Sequence, residues 1–393
     1  MSRKSAIMAA AMLAALSALP SRADDKPATN IIEQFQQTLD KGTAKLSYTD
    51  AKHGYLPGLL KAFKIPQESQ LLVFSASSLQ FDKINQKTPR ALYFQDDISV
   101  GAVQGGDLLE VIVSDRESGV AFYTLDAAKS DKPRFERRTT DCVTCHGFAT
   151  RASPGLMVAS YATGPNGQLL NLDPYNLFHL TDDRTPFEDR YGGWYVTGQT
   201  GAMRHRGNVT FKPEDPIEVP VGGANITSLS DRITISDYLQ PGSDIVALLA
   251  MEHQAGFVNL AASLKAQNRR GNTAEVQATI DELVSYMTFQ KEVPLPSPVT
   301  GSGTFTKVFP AQGVKDRQGR SLRQFDLQTR LFRYPLSYML YSQAFDNLSP
   351  AIRERVLRRV YEILRAKPGG AAAINIAAAT KPGLPDSWKA LPE

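Results

Sequence analysis

The sequence lacks any apolar segment beyond its first residues that is long enough to cross a bilayer, which needs roughly 20 residues. The early apolar run, Ala6 to Leu19, is fourteen residues long, and no later stretch reaches the required length without charged residues. We therefore expect no transmembrane segment in the chain once this early run has been removed.

The chain also lacks a strong excess of charge of either sign, because 44 Lys and Arg residues face 40 Asp and Glu residues, for a formal net charge of +4. Such a balance gives no argument for binding to nucleic acid or to a membrane surface, so we predict neither as a partner. The 42% of hydrophobic residues and 21% of charged residues are typical of a globular protein that buries a core.

The first 23 residues have the three parts of a secretory signal peptide. Arg3 and Lys4 form a basic start, the apolar run follows, and Ser21-Arg22-Ala23 ends in small residues. Cleavage after Ala23 would remove three basic residues and lower the formal charge to +1. An uncleaved anchor is the other interpretation, but the run is short and a proline ends it. We expect a mature protein that is soluble and located in the periplasm.

Cysteine is scarce, and the two that occur, Cys142 and Cys145, stand in the pentapeptide Cys-Val-Thr-Cys-His that ends at His146. Chance would place two cysteines and a histidine in this order on the order of once in ten thousand such chains, which favours a functional C-x-x-C-H motif. Two thiols three residues apart can add to the two vinyl groups of a porphyrin, and the next residue is then directed to the iron.

At this motif the chain resembles c-type cytochromes, and over the span from Tyr55 to Leu364 it resembles uncharacterised exported bacterial proteins with a cytochrome c domain and a single such motif. The resemblance implies one haem c bound covalently by Cys142 and Cys145, with His146 as the proximal iron ligand. Three other interpretations stay open: a structural disulfide, a thioredoxin-like redox pair, and a zinc site. The disulfide does not explain the histidine, the redox pair needs a preceding strand in a βαβ unit, and zinc needs a fourth ligand.

The pattern along the chain predicts an α+β fold with three regions after the signal peptide 1–23. Residues 24–135 are β-rich, with strands predicted at 71–74, 91–94, 98–103, 108–113 and 120–124 in an antiparallel sheet. Residues 136–240 form a loop-rich haem-binding region. Residues 241–393 form a helical region that ends in a mobile tail after residue 367.

Three helices are predicted in the last of these regions. The first begins after Ser243 or Asp244 and ends near Lys265, and the second covers 274–290. The third has Ser349 as its N-cap and Pro350 at its first position.

The sixth iron position decides between electron transfer and chemistry, and few side chains could fill it. We consider His205, Met203 and His253 as candidates. His205 and Met203 lie in a glycine-rich segment, where a surface loop is the alternative. His253 lies in the apolar stripe of a predicted helix and must be buried, so a hydrogen-bonded core histidine is the alternative. Asn259 lies on a neighbouring face of that helix and also looks partly buried.

Two functions are consistent with this sequence. The first is one-electron transfer by a periplasmic single-haem c-type cytochrome that exchanges electrons with a redox partner protein. The second is a haem oxidoreductase, peroxidase-like or oxidising a small molecule, with an open sixth iron position. The sequence leaves open whether the protein is an enzyme, and a single haem favours electron transfer.

Overall fold

The structure is a computed structural model that describes residues 27–150, 154–170, 179–212, 223–388 and 391. The predicted signal peptide lies outside the described residues. The helices are α1 (Ile31–Asp40), α2 (Leu56–Ala62), α3 (Asp141–Thr150), α4 (Ile245–Arg270), α5 (Thr273–Met287), α6 (Phe305–Ala311), α7 (Gln343–Asp346), α8 (Pro350–Arg365) and α9 (Gly370–Thr380). The strands are β1 (Leu71–Val73), β2 (Arg90–Gln95), β3 (Ile98–Ala102), β4 (Leu108–Asp115), β5 (Gly119–Asp126), β6 (Phe135–Arg138), β7 (Ala159–Ser160), β8 (His179–Leu180), β9 (Trp194–Tyr195), β10 (Gly198–Gln199) and β11 (Thr300–Gly301).

A seven-stranded antiparallel sheet with the order β6-β5-β4-β3-β2-β1-β9 organises the N-terminal half, and helices dominate the C-terminal half. The fold class is therefore α+β, as predicted. The five predicted strands are all present as β1 to β5, because their runs of apolar and β-branched residues suit a pleated, buried surface. Strand β9, only two residues long, comes from the loop-rich region and joins the sheet beside β1, which the sequence pattern did not reveal.

The two faces of the sheet bury different cores, since successive side chains of a strand point to opposite faces. Val100, Val111 and Tyr123 lie on the face that packs against α1 and α2. Phe94 and Phe122 lie on the other face, whose core includes helices α4, α5 and α8. This second face is the one that positions the C-x-x-C-H motif.

Asp115, at the end of β4, ties helix α1 to the sheet. Its carboxylate accepts hydrogen bonds from Thr29 Oγ1 (2.5 Å), Asn30 Nδ2 (2.8 Å) and the backbone N–H of Ser118 (2.6 Å). Burial acts to raise the pKa of Asp115, but these bonds outweigh it and lower the pKa to about 2. The ionised carboxylate is therefore a fixed acceptor for the N-terminal segment.

We expect acid to weaken the protein partly through this residue. Because the pKa of Asp115 is lower in the folded chain than in the unfolded one, its contribution is present above about pH 4 and is lost as the pH falls towards about 2. Asp115→Asn should lower the free energy of unfolding at pH 7 by about 2 kcal/mol and flatten its dependence on pH below 4. Urea unfolding at a series of pH values tests this, and an unchanged acid dependence would contradict it.

Helix α4 is the central element of the C-terminal half, and Asp244 caps it as the sequence predicts, with Oδ1 accepting from the backbone N–H of Val246. It is the one helix in the described part of the chain that is long and apolar enough to cross a membrane, but 94% of that stretch is buried inside the protein. A core helix meets the same criterion. Helix α4 can be buried on nearly all sides because it has few charged residues before Lys265.

The other two predicted helices are confirmed as α5 and α8, and Ser349 and Pro350 take their expected positions at the start of α8. The tail after Lys367, predicted to be mobile, contains helix α9 where the structure describes it. Helix α9 buries Ile374 and Ile376 completely, and the indole N–H of Trp388 donates to the Leu357 carbonyl at 3.0 Å. Alanine-rich sequence favours a helix here because small side chains allow close packing.

Candidate haem site

Helix α3 carries the motif and turns its three functional side chains to one side. Cys142, Cys145 and His146 are separated by three and four residues along the chain, so they share a face of the helix. All three line the same pocket, which has a volume of about 400 Å³. A pocket of this size is within the range that takes a small molecule or a cofactor.

The imidazole of His146 is held in one tautomer. Its Nδ1 lies 2.6 Å from the carbonyl oxygen of Gly155, and a carbonyl can only accept, so Nδ1 carries the proton. Burial lowers the pKa of His146, which keeps the ring neutral and places its lone pair on Nε2. The ring packs against Phe122 with centroids 4.7 Å apart. Metal-binding histidines characteristically donate the other ring N–H to such a carbonyl.

The floor of the pocket is the second face of the main sheet. Phe122 and Ile112 supply apolar surface near α3, and Ser99 and Gly101 in β3 leave the centre of the floor without a large side chain. Leu92 lines the pocket from β2, Trp194 from β9, and Leu156 from the loop before β7. The result is a mainly apolar slot lined by both thiols.

The rim of the pocket is unusually apolar for a protein surface. Among the described residues, the structure leaves four large apolar side chains exposed, and three of them, Leu79, Phe81 and Leu169, border this pocket. Phe81 alone is 62% exposed. Apolar side chains gathered at one opening indicate a surface that an apolar ligand or a partner covers.

A charged pair also lines the pocket. Arg90 Nη1 donates to Glu110 Oε2 at 2.8 Å, and both side chains are 17% exposed. Besides burial, Glu110 adds to the rise in the pKa of Cys142, and the charges of both residues act on His146, so the pair is close enough to influence the motif. Ser75 and Ser77 add hydroxyl groups to the lining. The pocket is therefore mainly apolar, with one charged pair in its wall.

No family model, curated protein or solved structure matches this chain. What the pocket does must therefore follow from the chemistry of the residues that line it. Three features bear on that chemistry: paired thiols next to a histidine with a defined tautomer, an apolar slot, and a charged pair in its wall.

The structure bears differently on the three alternatives for the cysteines. A strand, β6, does precede the motif, but it pairs antiparallel with β5 and so is not part of a βαβ unit. Burial raises the pKa of the Cys142 thiol to about 11, whereas reactive redox cysteines have lowered pKa values. For zinc, no group of three or more potential ligands occurs among the residues that the structure describes. Both cysteines are free thiols in the structure.

His253 is a hydrogen-bonded core histidine. The sequence alone had left this interpretation open beside that of an iron ligand. Its Nδ1 lies 2.7 Å from Asp183 Oδ2 and its Nε2 lies 2.7 Å from Ser337 Oγ. The ring stacks on Tyr286 with centroids 5.0 Å apart, and it does not line the pocket. Both ring nitrogens are already engaged, so this side chain is not placed to bind iron.

Three side chains, Ser337, His253 and Asp183, are hydrogen-bonded in the order found in a hydrolase catalytic triad. Their burial is incompatible with that activity. Ser337 and His253 are completely buried, and neither lines a described pocket. The Ser337 hydroxyl also accepts from the backbone N–H of Met339 at 3.1 Å. A nucleophile must reach its substrate, so this network stabilises the core instead.

His205 and Met203, the other two candidates for the sixth position, also lie away from the pocket lining. His205 is buried beside Tyr191, and its Nδ1 accepts from the backbone N–H of Gly207 at 3.1 Å. Burial lowers the pKa of His205 to about 4. Met203 is 1% exposed and belongs to the core around α4. The structure does not bring either side chain to His146.

Two methionines do line the pocket together with His146. Met157 lies in the same loop as Gly155, which contacts His146, and Met251 lies on α4. Met251 is not among the ligands that the sequence predicts, because the pattern predicts one buried stripe on a helix that is in fact buried on nearly every side. The scarcity of charged residues along α4 is the signal that could have revealed this.

Proposed function

We propose that this chain is a periplasmic c-type cytochrome that holds one covalently attached haem in this pocket and transfers single electrons to a redox partner protein. The observation that carries the proposal is that Cys142, Cys145 and His146 line one mainly apolar slot, with His146 Nδ1 2.6 Å from the Gly155 carbonyl oxygen. The bound haem would supply an iron centre that gains and loses one electron.

The residues present fit this group in three ways. The two thiols share a helix face, as attachment to two vinyl groups requires. The flat floor at Gly101 and Ser99 leaves room for a planar ring. Arg90, which also pairs with Glu110, would bind the carboxylates of haem, because a guanidinium matches a carboxylate in both charge and shape.

Surface access favours electron transfer as the role. Cys145 is exposed and the pocket opens at an apolar rim, so the cofactor edge nearest the thiols would lie close to the protein surface. The thioethers of Met157 and Met251 are available in the same pocket to complete the iron coordination.

A haem oxidoreductase with an open sixth position is the second candidate function. One observation favours it: none of the three side chains predicted as sixth ligand lies in the pocket lining, while the Arg90–Glu110 pair does. A carboxylate paired with a guanidinium could hold or move a proton beside a bound substrate.

Visible spectra of the purified holoprotein, reduced and oxidised, with and without carbon monoxide or cyanide, separate the two functions. We expect low-spin spectra that neither ligand changes promptly, because a second protein ligand closes the iron. Prompt ligand binding would contradict the electron-transfer proposal and support the oxidoreductase.

Filling the floor of the slot should reduce haem retention. Gly101→Val adds a side chain where a Cβ would already lie 3.3 Å from Leu92 Cδ2, so the extra atoms must project into the pocket. We expect a several-fold fall in haem per protein, measured by absorbance after maturation. Ala102→Val, the next residue on the opposite face of β3, is the matched control and should retain haem. Equal haem content in both variants would contradict this placement of the ring.

A further inference from the structure

The geometry points to Asn259 as a positioning residue that sets the reduction potential of the bound haem through a single peptide group. This inference rests on the proposed function, because it concerns the histidine that would bind the iron. It assigns a role in the site to a side chain of helix α4 that does not itself line the pocket.

The peptide group that joins Gly155 to Leu156 lies between His146 and Asn259. Its carbonyl oxygen accepts from His146 Nδ1 at 2.6 Å, and its N–H donates to Asn259 Oδ1 at 2.8 Å. Asn259 Nδ2 in turn donates to the Leu156 carbonyl at 2.9 Å. The amide side chain therefore holds Leu156 by both its N–H and its carbonyl. The N–H belongs to the peptide group that fixes the imidazole, and the carbonyl belongs to the next one.

Hydrogen bonds in such a chain strengthen one another. An N–H that donates to Asn259 leaves its own carbonyl more negative, so the carbonyl accepts more strongly from His146. A stronger bond at Nδ1 makes the imidazole a more basic ligand. A more basic ligand stabilises the oxidised iron relative to the reduced iron, so the Asn259 side chain should hold the reduction potential down.

The position of Asn259 gives this chain of bonds a rigid support. Helix α4 is the longest helix described and is capped by Asp244 at its start and by Gly271 in a left-handed conformation at its end. The loop at 154–157 contains no helix or strand of its own, so its geometry depends on what holds it. An asparagine on α4 links that loop to the core through hydrogen bonds, beside the buried side chain of Leu156.

Three variants of the holoprotein test the inference. Asn259→Ala removes both hydrogen bonds, and we expect its reduction potential to rise above the wild-type value. Asn259→Asp retains the acceptor oxygen, so its potential should stay at or below the wild-type value. Asn268→Ala, an exposed asparagine of the same helix, is the control and should leave the potential unchanged.

Both variants lose the bond to the Leu156 carbonyl, so simple loosening of the loop would raise both potentials, whereas tuning raises only the potential of Asn259→Ala. A second measurement is the proton resonance of His146 Nδ1–H in the reduced protein, which should move upfield in Asn259→Ala as its hydrogen bond weakens. An unchanged potential and resonance in that variant would overturn the inference.

If Asn259→Ala does not fold, Asn259→Asp decides the question, because a rise in its potential would overturn the inference equally. The haem content of the wild-type protein tests the proposed function separately. A wild-type protein without haem would reject the proposed function. A haem-loaded protein whose reduction potential does not change when Asn259 is replaced would reject only the tuning role.

Discussion

A variant with Cys142→Ser and Cys145→Ser is expected to carry no covalently bound haem, which is the largest effect that the proposed function predicts. Serine hydroxyls do not form the thioether bonds that hold the cofactor, and the apolar slot alone would retain haem only through reversible contacts. Denaturing electrophoresis followed by haem staining measures the covalent fraction directly. The stain should be lost completely in the double variant and reduced in either single variant.

The fold should survive these changes, which makes the result interpretable. Cys145 is exposed and Cys142 is only partly buried, and neither forms a disulfide in the structure. Thr144→Ala, between them on an exposed position of α3, is the matched control and should stain like the wild-type protein. Covalent haem in the double serine variant would show that the cysteines are not the attachment points.

The second large effect concerns the buried ion pair between Arg190 and Glu252 of helix α4. Arg190 Nη1 donates to Glu252 Oε2 at 2.9 Å, both side chains are essentially inaccessible, and Tyr191 Oη donates to the same carboxylate oxygen at 2.8 Å. Arg190→Met would leave the Glu252 charge buried without its partner. We expect the free energy of unfolding to fall by about 3–5 kcal/mol.

Urea unfolding of Arg190→Met and of a matched arginine variant tests this value. Arg184 pairs with Asp182 and Glu282, but its side chain is 28% exposed. Arg184→Met should therefore lower the free energy of unfolding by only about 0–1 kcal/mol. Similar losses of unfolding free energy in the two variants would contradict the conclusion that burial makes the Arg190–Glu252 pair important for stability.

Local patterns were sufficient to predict most of the fold. Strands β1 to β5 follow from short apolar and β-branched runs, and α4 and α8 follow from their capping residues and apolar repeats. These signals lie within a few residues of the structure that they specify. The α+β class could be predicted for the same reason, because it depends on the order of such elements along the chain.

Contacts between distant residues account for what the sequence did not reveal. Strand β9 is recognisable as a strand only through its pairing with β1, more than a hundred residues earlier. The tail after Lys367 looked mobile because its alanines have little apolar surface each, yet α9 packs into the groove that the rest of the fold provides.

The candidate site shows the same division. Cys142, Cys145 and His146 could be identified from their spacing, since one helix turn holds all three. The hydrogen-bonded chain that starts at His146 could not be identified in this way. Gly155 lies in an irregular loop, and Asn259 lies 113 positions after His146. His253 is occupied by Asp183 and Ser337, two residues that no local pattern connects to it.

The intact mass of the mature protein, produced in a host that matures c-type cytochromes, tests the central claim most directly. The proposed function predicts a red protein whose denatured mass exceeds that of the polypeptide by one haem. A colourless protein with the mass of the polypeptide alone would contradict it.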